Sequence, residues 1–104
     1  MIRVNEMSSG RTRRKKEDII AEILRCAVPG APKTRIMYKA SLSFKQLNGY
    51  IDYLCSEGFL AYDEHTRLYR STGKGTAYVE KYEEYATARE TARSTTQAIN
   101  DILG

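Results

Sequence analysis

Ile36-Met37-Tyr38-Lys39-Ala40-Ser41-Leu42-Ser43-Phe44 is the stretch that decides the fold. An apolar-faced segment breaks at Ser41 to Ser43, and a second one starts at once and runs to Glu57-Gly58. The spacing before the break predicts a helix over Pro32 to Ala40, with Ile36, Met37 and Ala40 inward and Lys33, Arg35 and Lys39 outward. Pro32 suits its first turn, where a missing N–H removes no hydrogen bond. Leu42 is the apolar plug of the turn. Ser43 then caps the next helix, and Gln46 three residues on completes a capping-box pattern. That helix buries Leu47, Tyr50 or Ile51, and Leu54; Lys45, Gln46, Asn48, Gly49 and Asp52 lie on its other side. Two helices joined by a three-residue polar turn around a buried leucine form a helix-turn-helix.

Working outward, Ile19, Ile20, Ile23, Leu24 and Ala27 repeat at three and four and predict an earlier helix from Lys16. Glu17 and Asp18 sit in its first turn, where the helix dipole favours acids. Pro29-Gly30-Ala31-Pro32 ends it. After Gly58, a left-handed helix stop, Phe59 to Tyr62 and Arg67 to Arg70 read as two strands. Asp63-Glu64-His65-Thr66 joins them as a hairpin without an Asn-Gly or Asp-Gly turn signal. Thr72 caps a last helix from Gly73 to Leu103. The fold class is α+β, mostly α: a winged helix-turn-helix of three helices and a two-stranded wing, followed by one long C-terminal helix. Residues 1–15 form a flexible basic arm, 16–72 the winged-helix domain and 73–104 the helix.

At about 1.5 Å per residue the last helix is roughly 46 Å long, more than a small domain can cover. Tyr78, Tyr82, Tyr85, Arg89, Ala92, Thr96, Ile99 and Leu103 are spaced alternately four and three apart, as in the seam of a coiled coil. The economical expectation is a homodimer through this helix. The competing possibility is a helix that folds back on its own domain or frays beyond Ala86.

Charge is unevenly distributed. Of the chain's net +4, residues 1–16 hold six basic residues against Glu6 alone, whereas the rest is slightly acidic. Such an asymmetry marks an arm that meets phosphate or an acidic surface, although a charge run can also simply keep a tail solvated. No apolar run approaches the roughly 20 residues of a membrane span. The polar start argues against a secretory leader, and the expected location is cytoplasmic, on the nucleoid. Cys26 and Cys55 fit buried small side chains in a reducing compartment. His65 is the sole histidine, so neither a Cys/His metal set nor a His-based nucleophile system can be assembled. Thr72-Gly73-Lys74-Gly75-Thr76 lacks the upstream glycine of a phosphate loop and has Gly75 where Ser or Thr belongs. No enzyme and no cofactor is expected.

Ile36 to Phe44, Tyr50-Ile51-Asp52-Tyr53-Leu54, Glu57-Gly58-Phe59-Leu60 and Thr72-Gly73-Lys74-Gly75 together resemble the archaeal winged-helix DNA-binding family of small chromatin-associated or regulator-like proteins. The resemblance covers about residues 16–85. It implies a homodimer whose long C-terminal helices pair antiparallel and whose partner is double-stranded DNA. Gly49, inside the third helix, and the long basic arm depart from the family pattern.

In a winged helix the third helix enters the major groove, the wing reaches backbone or a neighbouring groove, and an arm can track the minor groove. Lys45, Gln46 and Asn48 are then the base readers, since Gln and Asn can pair bidentately with adenine and Lys can meet guanine or phosphate. Gly49 admits close approach of the backbone to DNA, or else close packing against a neighbour. Ser41 and Ser43 can donate to phosphate. Arg11, Arg13, Arg14, Lys15 and Lys16 would steepen the log-affinity against log-salt slope by about 4.5 if all five met phosphates, at about 0.9 each. Lys33, Arg35 and Lys39 support from the second helix; Arg67 and Arg70 offer a wing contact weakened by Asp63 and Glu64. The rival from another class is a protein-interaction module of the same fold with no DNA contact.

Overall fold

The computed structural model describes residues 14–104. Its elements are α1 (Lys16–Cys26), α2 (Lys33–Ala40), α3 (Phe44–Ser56), β1 (Leu60–Asp63), β2 (Leu68–Ser71) and α4 (Gly73–Leu103). It is a winged helix-turn-helix followed by a long helix.

The α1 stripe buries Ile20, Ile23 and Leu24 against Ile36 and Ala40 of α2, Leu47, Ile51 and Leu54 of α3, and Leu60 of β1. Ile23, Leu24, Ile36, Leu47 and Leu54 lose essentially all contact with solvent. Each such side chain contributes about 1.5–3 kcal/mol of transfer free energy, which is why three short helices hold together. Leu42 packs half-buried against this core.

The helix ends follow local hydrogen bonding. Asp18 accepts from the Lys15 N–H at 3.0 Å and closes the start of α1. Pro32 is the cap of α2 and not its first-turn residue: its ψ of 158° is extended, and helical geometry begins only at Lys33. Ser41, at φ 55°, takes the left-handed conformation that ends α2. Ser43 closes α3 from both sides, accepting from the Gln46 N–H at 3.1 Å and donating its own N–H to Gln46 Oε1 at 3.0 Å.

At the other end of α3, Gly58 at φ 82° sends its N–H to the Cys55 carbonyl, and the Phe59 N–H reaches the Leu54 carbonyl at 2.8 Å. This is the Schellman arrangement. It takes Phe59 into the helix stop, so β1 begins one residue later than the apolar run suggests. β2 pairs with it antiparallel, Leu60 opposite Ser71 and Asp63 opposite Leu68. Ala31 adds a short bridge to Tyr69, with N–H to O distances of 2.9 and 2.8 Å. In the hairpin loop Asp63 Oδ1 accepts from the N–H groups of His65 and Thr66, while Arg67 stands at φ 60°. These two devices replace the missing Asn-Gly or Asp-Gly.

α4 starts against the sheet. Thr72 Oγ1 accepts from the Gly75 N–H at 3.1 Å. A Cβ on Gly75 would lie 2.3 Å from the Phe59 carbonyl oxygen, so only glycine lets the helix approach. The helix then runs along α1. The Tyr78 hydroxyl donates to the Glu17 carbonyl at 3.0 Å, the Tyr82 hydroxyl to the Asp18 carboxylate, and Arg25 Nε to Glu83 at 3.0 Å. Beyond Ala86 every residue of α4 is exposed.

Candidate nucleic-acid interface

The capped start of α3 turns Lys45, Gln46, Gly49, Asp52 and Tyr53 to solvent. Gly49 sits mid-helix, and a Cβ built on it would meet nothing within 4 Å. Close packing against another of the described residues is therefore not what this glycine serves. It leaves a shallow cleft lined by Lys16, Gln46, Gly49, Tyr50 and Tyr53.

Two of the expected base readers have their carbonyl oxygens engaged. Gln46 Oε1 accepts from the Ser43 N–H. Asn48 is half-buried, and its Oδ1 accepts from Lys33 Nζ at 2.7 Å. Lys33 is thus drawn inward across the α2–α3 junction, its ammonium 5.4 Å from the Phe44 ring centre. Bidentate pairing with adenine needs an amide oxygen and nitrogen together. Each oxygen keeps a second lone pair, but the bond it makes fixes the orientation of its amide. Lys45, at the start of α3, and Asp52, in its second half, are exposed polar groups of the same helix.

The root of the arm lies beside this helix. Lys16 places its ammonium 5.1 Å from the centre of the Tyr53 ring. Arg14 Nη2 donates to the Ser41 carbonyl at 3.4 Å, at the turn between α2 and α3. Lys15 is the residue before α1 and is exposed. Arg11 and Arg13 lie outside the described residues. No sequence signal fixes where the arm attaches relative to α3; that comes from α1 crossing the helix-turn-helix.

The remaining cations divide. Arg35 and Lys39 are exposed on α2 and make no ion pair among the described residues. Arg67 is exposed in the hairpin loop. Arg70 instead donates to the Pro29 carbonyl at 3.1 Å, its guanidinium lying against Gly30. Burial raises the thiol pKa of both Cys26 and Cys55, so both are held protonated.

A family model described as winged helix-turn-helix matches residues 13–90. The chain belongs to the winged helix-turn-helix family. It is 40% identical over 57 residues to an uncharacterized protein of Methanocaldococcus jannaschii, a match taking in 54% of this chain and 59% of that one. The chain thus spans about three fifths of the length of that curated relative. Among solved structures it is similar to Sso10a-2, described as a DNA-binding protein from Sulfolobus solfataricus. The TM-score is 0.76 at 27% identity, covering 88% of this chain and 98% of that one. The transcriptional repressor CouR, solved with p-coumaroyl-CoA, shares the fold at 18% identity and a TM-score of 0.64, over 84% of this chain and 63% of that one.

Within this winged helix-turn-helix the long-helix seam is divided. Tyr78 and Tyr82 face α1 of the same chain. Tyr85 is exposed and lies under the Arg89 guanidinium at 5.1 Å, and Arg89 reaches Asp18 at 3.8 Å. Ala92, Thr96, Ile99 and Leu103 are exposed. Asp18 is the junction of these contacts. The Tyr82 hydroxyl above all, then the Lys15 N–H and the Arg89 charge, hold its carboxyl below the usual carboxylate range against an opposing desolvation. Among the described residues no helix is long and apolar enough to cross a membrane.

Proposed function

We propose that the protein is a non-enzymatic, homodimeric double-stranded DNA-binding protein that organises chromatin or regulates transcription with little sequence preference. The observation that carries this reading is the convergence of the arm root on α3. Lys16 at Tyr53 and Arg14 at Ser41 place two cations beside the exposed helix that a winged helix-turn-helix offers to the major groove. Similarity to the Sulfolobus DNA-binding protein supports DNA as the partner.

Low sequence preference follows from the commitments of Gln46 and Asn48. The bonds they make inside the chain hold both amides in fixed orientations, so turning them to a base edge costs rearrangement, and affinity rests on phosphate contacts, which position a protein without reading sequence. The body from Glu17 to Thr72 holds seven basic and seven acidic residues, so its own field is weak. The arm, with Arg11, Arg13, Arg14, Lys15 and Lys16, supplies the attraction. Dimerisation would use the exposed half of α4, where Ala92, Thr96, Ile99 and Leu103 continue the seam, with Tyr85 and Arg89 at its edge. Each dimer would then present two copies of α3.

Competition binding with unrelated duplexes tests the reading. Duplex binding is expected, with affinities among unrelated sequences spread over less than about tenfold, against the roughly 10³-fold or more of specific recognition. Absence of duplex binding would favour a protein partner on α3. One sequence preferred by orders of magnitude would refute the low sequence preference and point to base reading by Lys45, Gln46 or Asn48.

A further inference from the structure

The outward face of α2 is a second cationic surface, and it does not look toward the same side as α3. Lys33 marks the α3 side of α2 through its 2.7 Å bond to Asn48. At about 100° per residue, Tyr38, Arg35 and Lys39 stand roughly 140°, 200° and 240° around the helix from Lys33. All three therefore lie on the far side of α2 from α3, so Arg35 and Lys39, expected from the sequence to support α3 on its duplex, stand apart from that duplex and only Lys33 faces it. They line a shallow hollow with Pro32 and Thr34. Tyr38 is 87% exposed, which is unusual for so large an aromatic side chain.

The hollow's side chains offer hydrogen-bond donors and carry no acid: the Thr34 and Tyr38 hydroxyls, the Arg35 guanidinium and the Lys39 ammonium. α2 itself, Lys33-Thr34-Arg35-Ile36-Met37-Tyr38-Lys39-Ala40, contains no carboxylate. Glu22 lines the adjoining cleft, but Arg25 holds it at 3.4 Å. Arg35 and Lys39 are four residues apart, so their stems rise about 6 Å from one another on one helix face. Arg, Lys, Thr and Tyr are side chains that meet phosphate oxygens in protein–DNA interfaces.

We infer that this α2 face binds the phosphate backbone of a second DNA duplex, so that a single protomer holds two duplexes, one on α3 with the arm and one on Thr34, Arg35, Tyr38 and Lys39. The inference rests on the proposed DNA-binding function and goes beyond it. Bridging would then be a property of each protomer and not only of the dimer.

Stoichiometry tests it. The full chain is titrated at low ionic strength with a fluorescent duplex of about one helical turn, too short to wrap from one face to the other. Two duplexes per protomer are expected for the natural sequence. Arg35→Gln with Lys39→Gln changes only exposed side chains. It should reduce this to one duplex while leaving the tighter phase within about twofold, since that phase depends on the arm and α3. Saturation at one duplex by the natural sequence overturns the inference. So does retention of two by the double variant, or an equal loss of both phases. No duplex binding at all would instead refute the proposed function itself.

Discussion

Replacing Gly49 separates stability from DNA binding more sharply than any other substitution. The glycine lies inside α3, and among the described residues nothing beyond its own stretch of helix comes within 4 Å of the place a Cβ would occupy, so Gly49→Ala meets no steric obstacle there. Alanine is favoured over glycine in a helix interior by about 0.8–1.0 kcal/mol. A domain of this size shifts its melting temperature by about 4–8 °C per kcal/mol, so calorimetry should record a rise of that order. Gly49→Leu keeps most of the helix gain and projects a branched side chain from the centre of the exposed face. It should hold α3 off the groove floor and weaken duplex binding at least tenfold, about 1.4 kcal/mol. A loss of stability in Gly49→Ala would mean that the helix needs the gap. Unchanged duplex affinity in Gly49→Leu would refute the placement of DNA on α3.

The opposite outcome is expected at Gly75. Gly75→Ala forces a methyl to within 2.3 Å of the Phe59 carbonyl oxygen, and chemical denaturation should show a loss of about 1–3 kcal/mol as α4 is pushed off the sheet. Arg67→Gly relieves a left-handed residue in the hairpin and should stabilise the fold by about 1 kcal/mol, read by the same assay. Asp18 titrates below its unfolded value of about 3.8, so its stabilisation is complete above that pH and disappears as pH falls through the lower folded pKa. Asp18→Asn should therefore be less stable than the natural sequence at neutral pH, with the difference shrinking in acid. Asp63, also lowered by its loop N–H groups, continues to give the variant some acid sensitivity.

The helix-turn-helix was legible because each of its signals is local. Ser43 and Gln46 close the same turn that their spacing announces, and the Ile19–Leu24 stripe has only one face to bury. The strands shifted by one residue because Phe59 serves a hydrogen-bonded helix stop whose pattern in sequence resembles a strand start. What sequence could not supply were contacts between distant segments. Lys33 with Asn48, Lys16 with Tyr53, Arg70 over Gly30 and the bonds of Tyr78 and Tyr82 to α1 each join residues that no periodicity links. Gly75 was visible as a glycine beside a lysine, but its reason is the distant Phe59 carbonyl. The seam from Tyr78 to Leu103 has regular spacing along its whole length. Only the packed structure reveals that its first two tyrosines already have an intramolecular partner.

Salt dependence of duplex binding tests the central claim most directly. The full chain should be compared with a variant in which Arg11, Arg13, Arg14, Lys15 and Lys16 are glutamine, across a series of salt concentrations. Log affinity against log salt should be steep for the natural sequence and shallower by about 4–5 in the variant, near 0.9 for each phosphate contact removed. Equal slopes for the two proteins would mean that the cationic leader does not touch DNA, and would contradict the proposed mode of binding.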